Sequence, residues 1–361
     1  MEQDQEVACA KSLRQSHAEL GANPTLRRRL GLAEWISFSQ LARSSTSRAP
    51  DCFEELMAQV LKLVQSQAKA IDDPEWTFLN KAKAIDSTFL GLSAKLSPWS
   101  LHGKHAPGVR AQFGLDLASH IPEVLWLHGT DVLDNKALGL MCGTDLTPFQ
   151  GWTLVIDLGY YGHKQFERLR EWDIHFLSKI HPQAAYQITE KRDVIQKHDW
   201  TPQDHDWTPQ DDEVLGDEII TLGSPNNQRG AVLPQMRMIT SRSPRTRTNC
   251  KGNGKGEEQI CRLITDRLDL AAWEVVALYR HRWQIELFFR WLKRQLGMMR
   301  ALGYSEEAVW LTVLVACLVA LLWVLMAGWG HKPAAMTRIS WLRAVGVTVQ
   351  SLIRLSVRLS G

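Results

Sequence analysis

Apolar and polar positions follow two different periods along this chain, and the switches between them mark out its parts. Up to about residue 76 the spacing is helical. LRRRLGLAEWISFSQLARSS and CFEELMAQVLKLVQSQAKAI both place apolar residues every three to four positions, with the breaker-rich SSTSRAPD between them. From Ala82 the period shortens to that of strands. AKAIDSTFLGL, GVRAQFGLDLA and IPEVLWLHGT read as three strands, TDVLDNKALGLMC as a helix capped by Asp or Thr, and WTLVIDLGYYGH as a strand ending at Asp157. HKQFERLREWD then predicts a helix and IHFLSKI a fifth strand. This order predicts a mixed α/β sheet with helices on its faces.

From Ile180 to Leu263 that pattern is interrupted. YQITEKRDVI, EIITLG and AVLPQMRMITS read as short strands, followed by the Gly- and Arg-rich RSPRTRTNCKGNGKGEE. The block also holds a tandem repeat, HDWTPQD at His198–Asp204 and again at His205–Asp211. Two heptads are too few for a solenoid, so the repeat is read as an expanded surface loop whose Trp200 and Trp207 could stack on bases. Beyond it, Leu270 to Arg300 has its only Gly at Gly297 and no Pro, which predicts one long helix. Ala308 to Gly330 carries no charge and is long enough to span a bilayer, although a buried helix is the favoured reading of a solitary stretch of this kind. The resulting division is 1–76 helical, 80–179 first part of an α/β core, 180–263 β-rich insertion, 264–330 second part of the core, and 331–361 a basic tail.

The net charge of +3 is unevenly spread. Ile219 to Gly256 contains no acid but includes Arg229, Arg237, Arg242, Arg245, Arg247, Lys251 and Lys255; His331 to Gly361 likewise has basic residues and no acid. Such runs suit a polyanionic partner or solvated loops. The six cysteines show neither CxxC nor Cys/His spacing, which argues against a zinc site or a disulfide framework and fits a reducing cytoplasm. The polar MEQDQEVACAKSLRQ lacks the apolar core of a signal sequence.

Candidate chemistry concentrates on the long helix. Tyr279, Arg282, Glu286 and Lys293 fall within about 60° of one another around its axis, and Leu278, Ile285, Phe289, Leu292 and Leu296 form an adjacent apolar stripe. A carboxylate flanked by Tyr, Arg and Lys suits a metal ion beside a phosphodiester; a solvated face of i,i+4 pairs is the plain alternative. Asp86 and Asp157 each end an apolar run, in AKAID and LVID. Either could be a cap, but two such acids on central strands, facing Glu286 across the sheet, could share a pair of Mg²⁺ ions.

With these residues the chain resembles the DDE transposases of the insertion-sequence-four family. Its Tyr279, Arg282, Glu286 and Lys293 match the family signature of Tyr, two residues, Arg, three residues, Glu, six residues, Lys; AIDSTFLGL and LVIDLGYYGHKQF resemble the two Asp-bearing strands. The resemblance covers about residues 80 to 330. It implies a ribonuclease H-like catalytic core with a β-rich insertion before the Glu. It also implies two divalent ions, Mg²⁺ or Mn²⁺, on Asp86, Asp157 and Glu286, and phosphate contacts from Tyr279, Arg282 and Lys293. Arg290, Lys179, Arg27, Arg28 and Arg29 are further candidates for DNA contacts. The expected partners are double-stranded DNA, as terminal inverted repeats and target, and a second copy of the chain in a synaptic complex, with no membrane. The setting is a bacterial cytoplasm, at the nucleoid during action. The expected activity is metal-dependent cleavage at transposon ends and strand transfer, cut-and-paste, with a hairpin intermediate in the family. A nuclease of the same fold and a DNA-binding remnant are the alternatives.

Overall fold

The computed structural model describes residues 13–29, 37–40, 43, 51–101, 105–141, 145–194, 213–224, 231–243, 259–295 and 303–328. Within them the strands are β1 (Ala82–Gly91), β2 (Gly108–Asp116), β3 (Pro122–Gly129), β4 (Thr153–Ile156), β5 (His175–Lys179), β6 (Tyr186–Lys191), β7 (Glu213–Leu222), β8 (Leu233–Ser243) and β9 (Gln259–Thr265). The helices are α1 (Leu13–Ala22), α2 (Pro24–Arg29), α3 (Asp51–Gln67), α4 (Asp134–Met141), α5 (His163–Glu171), α6 (Ala272–His281), α7 (Trp283–Gln295) and α8 (Glu306–Gly328). The HDWTPQD repeat, its two tryptophans, the Lys/Arg-rich segment before β9 and the tail after Gly328 lie outside the described residues.

All nine strands belong to one sheet, in the order β3-β2-β1-β4-β5-β9-β8-β7-β6. Neighbours β1, β2 and β3 are antiparallel, as hairpin-joined strands must be, while β4 and β5 return parallel to β1 through α4 and α5. The mixed α/β arrangement therefore follows the predicted element order. The block from Ile180 does not fold apart from it: β9 pairs with β5 on one side and with β8 on the other, so β9, β8, β7 and β6 extend the same sheet. Strand β9 was not foreseen as a strand. Its residues QICRLIT alternate only weakly, and its place is set by two partner strands.

Side-chain alternation sorts the two faces. On the front face Ala84, Val155 and Leu177 pack with Leu278, Ile285 and Leu292 of α6 and α7, and with Val309 and Val313 of α8. On the rear face Ile85, Ile156 and Phe176 pack with Leu138 of α4 and Phe166 and Leu169 of α5. Phe113 of β2 meets Phe288 and Phe289 edge-on at 5.7 and 5.5 Å, which seats α7 on the front of β1 and β2. Gly114 beside it leaves room for Lys83, since a Cβ there would lie 2.8 Å from the lysine Cδ. The buried Lys83 reaches Glu123 at 2.6 Å.

Apolar α8 passes the length and composition test for a membrane span, yet 56% of its most apolar window is buried in the protein. Val309, Val313, Cys317, Ala320 and Leu321 belong to the front core, and Trp310 donates to Glu54 of α3. This agrees with the buried-helix reading.

Candidate active site

Three parallel strands deliver polar residues to the same edge of the front face. Ile85 of β1 is paired with Ile156 of β4, and Val155 with Leu177 of β5. One step beyond the first pair come Asp86 and Asp157; two beyond Leu177 comes Lys179. Asp86 lies opposite Phe113 in the β1–β2 register, so it shares the face covered by α7. Asp86 Oδ1 accepts the Ser87 amide at 2.8 Å and Asp157 Oδ1 the Leu158 amide at 2.7 Å, which fixes each carboxylate against its own backbone. Asp157 caps a short 3-10 turn, so its capping role and its place beside Asp86 coexist.

The predicted long helix is two. Helix α6 ends at His281 and α7 begins at Trp283, and around Arg282 the backbone tightens to three-residue hydrogen bonds, Arg282 N to Tyr279 O and Ile285 N to Arg282 O. No Pro or Gly lies at the break; Arg282 itself keeps right-handed helical angles. A continuous helical wheel therefore misses the break, while the shared face survives it because the tightening is a single turn. Glu274 starts α6 by accepting the Ala271 amide at 2.6 Å.

The signature side chains converge on the two strand acids. Tyr279 OH donates to Asp157 Oδ1 at 3.4 Å, Arg282 Nη1 lies 3.4 Å from Asp86 Oδ2, and Arg282 Nη2 lies 2.5 Å from Glu286 Oε1. Arg282 thus bridges an acid from β1 and an acid from α7, with its side chain only 11% exposed. Lys179 Nζ sits 5.6 Å from the centre of the Tyr279 ring, so it borders the same group. Lys293 stands seven residues beyond Glu286, about 10 Å along the helix, and forms no ion pair with another described residue. Arg290 is half-buried one turn past Glu286, and Arg28 is exposed on α2; the side chains of Arg27 and Arg29 lie outside the described residues.

Electrostatics at this edge favour a cation. Asp86 is held up at about 6, first by burial, with the charges of Asp134 and Glu286 adding to it against the Ser87 amide and Arg282. Burial lifts the Tyr279 phenol above its ordinary range, so it stays a neutral hydrogen-bond donor. Burial lowers the Lys293 ammonium somewhat. Among the described residues no three His, Cys, Asp or Glu side chains approach closely enough to hold a metal ion together, because Arg282 lies between Asp86 and Glu286. The donor set nevertheless fits a hard cation: oxygen ligands only, with one carboxylate raised chiefly by burial and further by neighbouring acids.

Residues 79–322 match the family model of the transposase DDE domain, more than half of the chain. The chain belongs to this family. It is 24% identical over 236 residues to a protein of Sinorhizobium fredii named as a transposase, y4zB, covering 65% of this chain and 57% of that protein. It is 22% identical over 268 residues to a Geobacillus stearothermophilus protein named as a transposase for the insertion sequence element IS5377, covering 73% and 62%. The chain thus spans about three-fifths of the length of these relatives. The matched DDE domain runs from just before β1 into α8, and so includes Asp86, Asp157 and Glu286 as well as the insertion strands.

The DDE domain holds two groups that sequence reasoning missed. Asp134, at the start of α4, approaches Asp86 closely enough to raise it. Arg237, counted among the basic residues of an acid-free run, is fully buried and grips Asp217 with Nε and Nη2 at 2.9 and 2.7 Å. Its Nη1 donates to Leu270 O at 2.5 Å, at the entry to α6. Arg242 of the same run pairs with Glu213 at 3.4 Å. These two cations are therefore neutralised by β7, an acid-bearing strand that the linear run conceals, and Arg237 joins the insertion to the signature helices.

Proposed function

We propose that this chain is a DNA transposase that cuts at the ends of its element and joins them to target DNA, with Asp86, Asp157 and Glu286 as the catalytic acids of a ribonuclease H-like core. The observation that carries the reading is the convergence of Asp86 from β1, Asp157 from β4 and Glu286 from α7 around Arg282 and Tyr279, on one edge of one face. Strand order β3-β2-β1-β4-β5 with β4 and β5 parallel to β1 supports the fold assignment. The names of the two relatives support the activity.

Divalent cations, Mg²⁺ or Mn²⁺, held by Asp86, Asp157 and Glu286 would supply Lewis-acid activation of the attacking oxygen and stabilisation of the leaving one in an in-line phosphoryl transfer. The remaining chemistry belongs to the side chains. Asp86, raised to about 6, is ionised in the neutral range where it must act as a ligand. Arg282 is a planar fork already inside the acidic group and suits a phosphate oxygen bidentately. Tyr279 offers a neutral hydroxyl beside Asp157, and Lys293 a point charge farther along the same helix for the next phosphate. Membership of the insertion-sequence-four group, a cut-and-paste course through a hairpin, a paired synaptic complex and action at the bacterial nucleoid extend the same reading, supported by the Tyr279, Arg282, Glu286, Lys293 spacing.

The test is a labelled duplex carrying the ends of the element that encodes the chain, incubated with Mg²⁺, with EDTA, and with Glu286→Gln. Cleavage and joined product that need the metal and vanish in the variant establish the transposase; hairpin species would run on the same gel. Cleavage without joining points instead to a nuclease of this fold, and binding without cleavage to a DNA-binding remnant.

A further inference from the structure

Ser87 follows Asp86 in β1 and so projects from the opposite, rear face of the sheet, where α4 packs. There its Oγ donates to Asp134 Oδ1 at 2.8 Å, and Arg110 Nη1 donates to Ser87 Oγ at 3.1 Å and approaches the same Asp134 oxygen at 3.4 Å. The other Asp134 oxygen bears on the turn after β4: a Cβ on Gly159 would come within 3.2 Å of Oδ2. One carboxylate is therefore hydrogen-bonded to the residue next to Asp86 and lies beside the residue two past Asp157. Ser87, Arg110 and Asp134 are half-buried, and Gln112 on the same face ties Tyr160, the residue after Gly159 in that turn, by a hydrogen bond at 2.5 Å.

We propose that Asp134 is a positioning residue of the DDE centre: from behind the sheet it latches Ser87 to the Leu158–Tyr160 turn and so fixes the separation of Asp86 and Asp157. It touches no reacting group, and its effect passes through Ser87 of β1 and the turn after β4. The inference rests on the reading of Asp86 and Asp157 as ligands of a divalent cation. Two carboxylates on separate strands can share an ion only at a set spacing; the β1–β4 pairing brings them side by side, and on the front face Tyr279 and Arg282 contact them. Groups that orient ligands without touching the ion typically change its affinity on removal by about ten-fold or more.

The experiment is Mn²⁺ binding to the full chain without DNA, read from the electron paramagnetic resonance signal of free Mn²⁺. Wild type would be compared with Asp134→Ala, Ser87→Ala, Asp134→Asn and Asp86→Asn, with thermal melting recorded for each. Asp134→Ala and Ser87→Ala are expected to bind Mn²⁺ about ten-fold more weakly. Asp134→Asn, which still accepts the Ser87 hydroxyl, stays near wild type. Should Asp134→Ala misfold, Ser87→Ala removes the same hydrogen bond and leaves the first turn of α4 intact. Unchanged Mn²⁺ binding in Ser87→Ala, or a loss in Asp134→Asn as large as in Asp134→Ala, overturns the latch. The Asp86→Asn control separates the two levels: full Mn²⁺ binding there overturns the ligand reading beneath the proposal, whereas loss there with none in Asp134→Ala and Ser87→Ala overturns the latch alone.

Discussion

Asp86 and Asp157 each come one residue after the paired Ile85 and Ile156 of adjacent parallel strands, so backbone register brings them side by side on the front of the sheet. Neither side chain depends on a flexible loop for this placement, and each is pinned by an amide of its own chain. On the proposed reading, Asp86→Asn and Asp157→Asn abolish cleavage of end-bearing DNA while the protein still binds that DNA in a gel-shift assay. Residual cleavage well above background in either variant would remove that residue from the centre.

Burial lifts Asp86 from 3.8 to about 6, and this has a signed consequence for stability. Between about pH 4 and pH 6 the folded chain keeps a proton that the unfolded chain has released, so Asp86 lowers stability progressively as pH rises through that window. The cost is complete above about pH 6, at most about 3 kcal/mol. Asp86→Asn should accordingly raise the metal-free melting temperature at pH 7 and leave it unchanged below about pH 4. A variant less stable than wild type at pH 7 would show that the Arg282 contact outweighs desolvation.

Lys293 makes no ion pair with a described residue and lies on the helix face that carries Glu286. Lys293→Ala should weaken binding to any duplex by a similar factor and reduce the slope of log affinity against log salt by about 0.9, one phosphate's worth of released counterion. An unchanged slope would place Lys293 away from the DNA.

Arg237 and Asp217 form a two-pronged ion pair with almost no exposure, 2% and 3% for the side chains. Arg237→Met strands a buried carboxylate and should cost about 3–5 kcal/mol in urea unfolding; Arg237→Met with Asp217→Leu together should recover much of it, because the pair and not either charge is what the site accommodates. Since Arg237 also holds Leu270 O, the single variant should loosen amide exchange at the start of α6 before the rest of the sheet.

Legibility differed by kind of feature. The strand runs of β1 to β5 and the two acids that close their apolar stretches could be read directly, because period-two patterning survives only where one face is buried. The helix break at Arg282 could not, since it uses neither Pro nor Gly. Arg237 looked like a surface cation because its neutralising acid sits twenty residues earlier, across a strand pair. Asp134 looked like an ordinary helix-start acid for the same reason: its partner Ser87 is remote in sequence.

What the sequence by itself determined is the set of chemical groups and their local frames: which acids close an apolar run, which residues share a helix face, and that α8 carries no charge from Ala308 onward. These follow from periodicities that act over a few residues. Only the tertiary structure decided that β9 slots between β5 and β8 to make one sheet, and that Arg282 bridges Asp86 to Glu286. It also decided that Asp134 stands behind the two strand acids. Those relations depend on strand order and on which face each helix covers, and they join residues tens to hundreds of positions apart, beyond the reach of any local pattern.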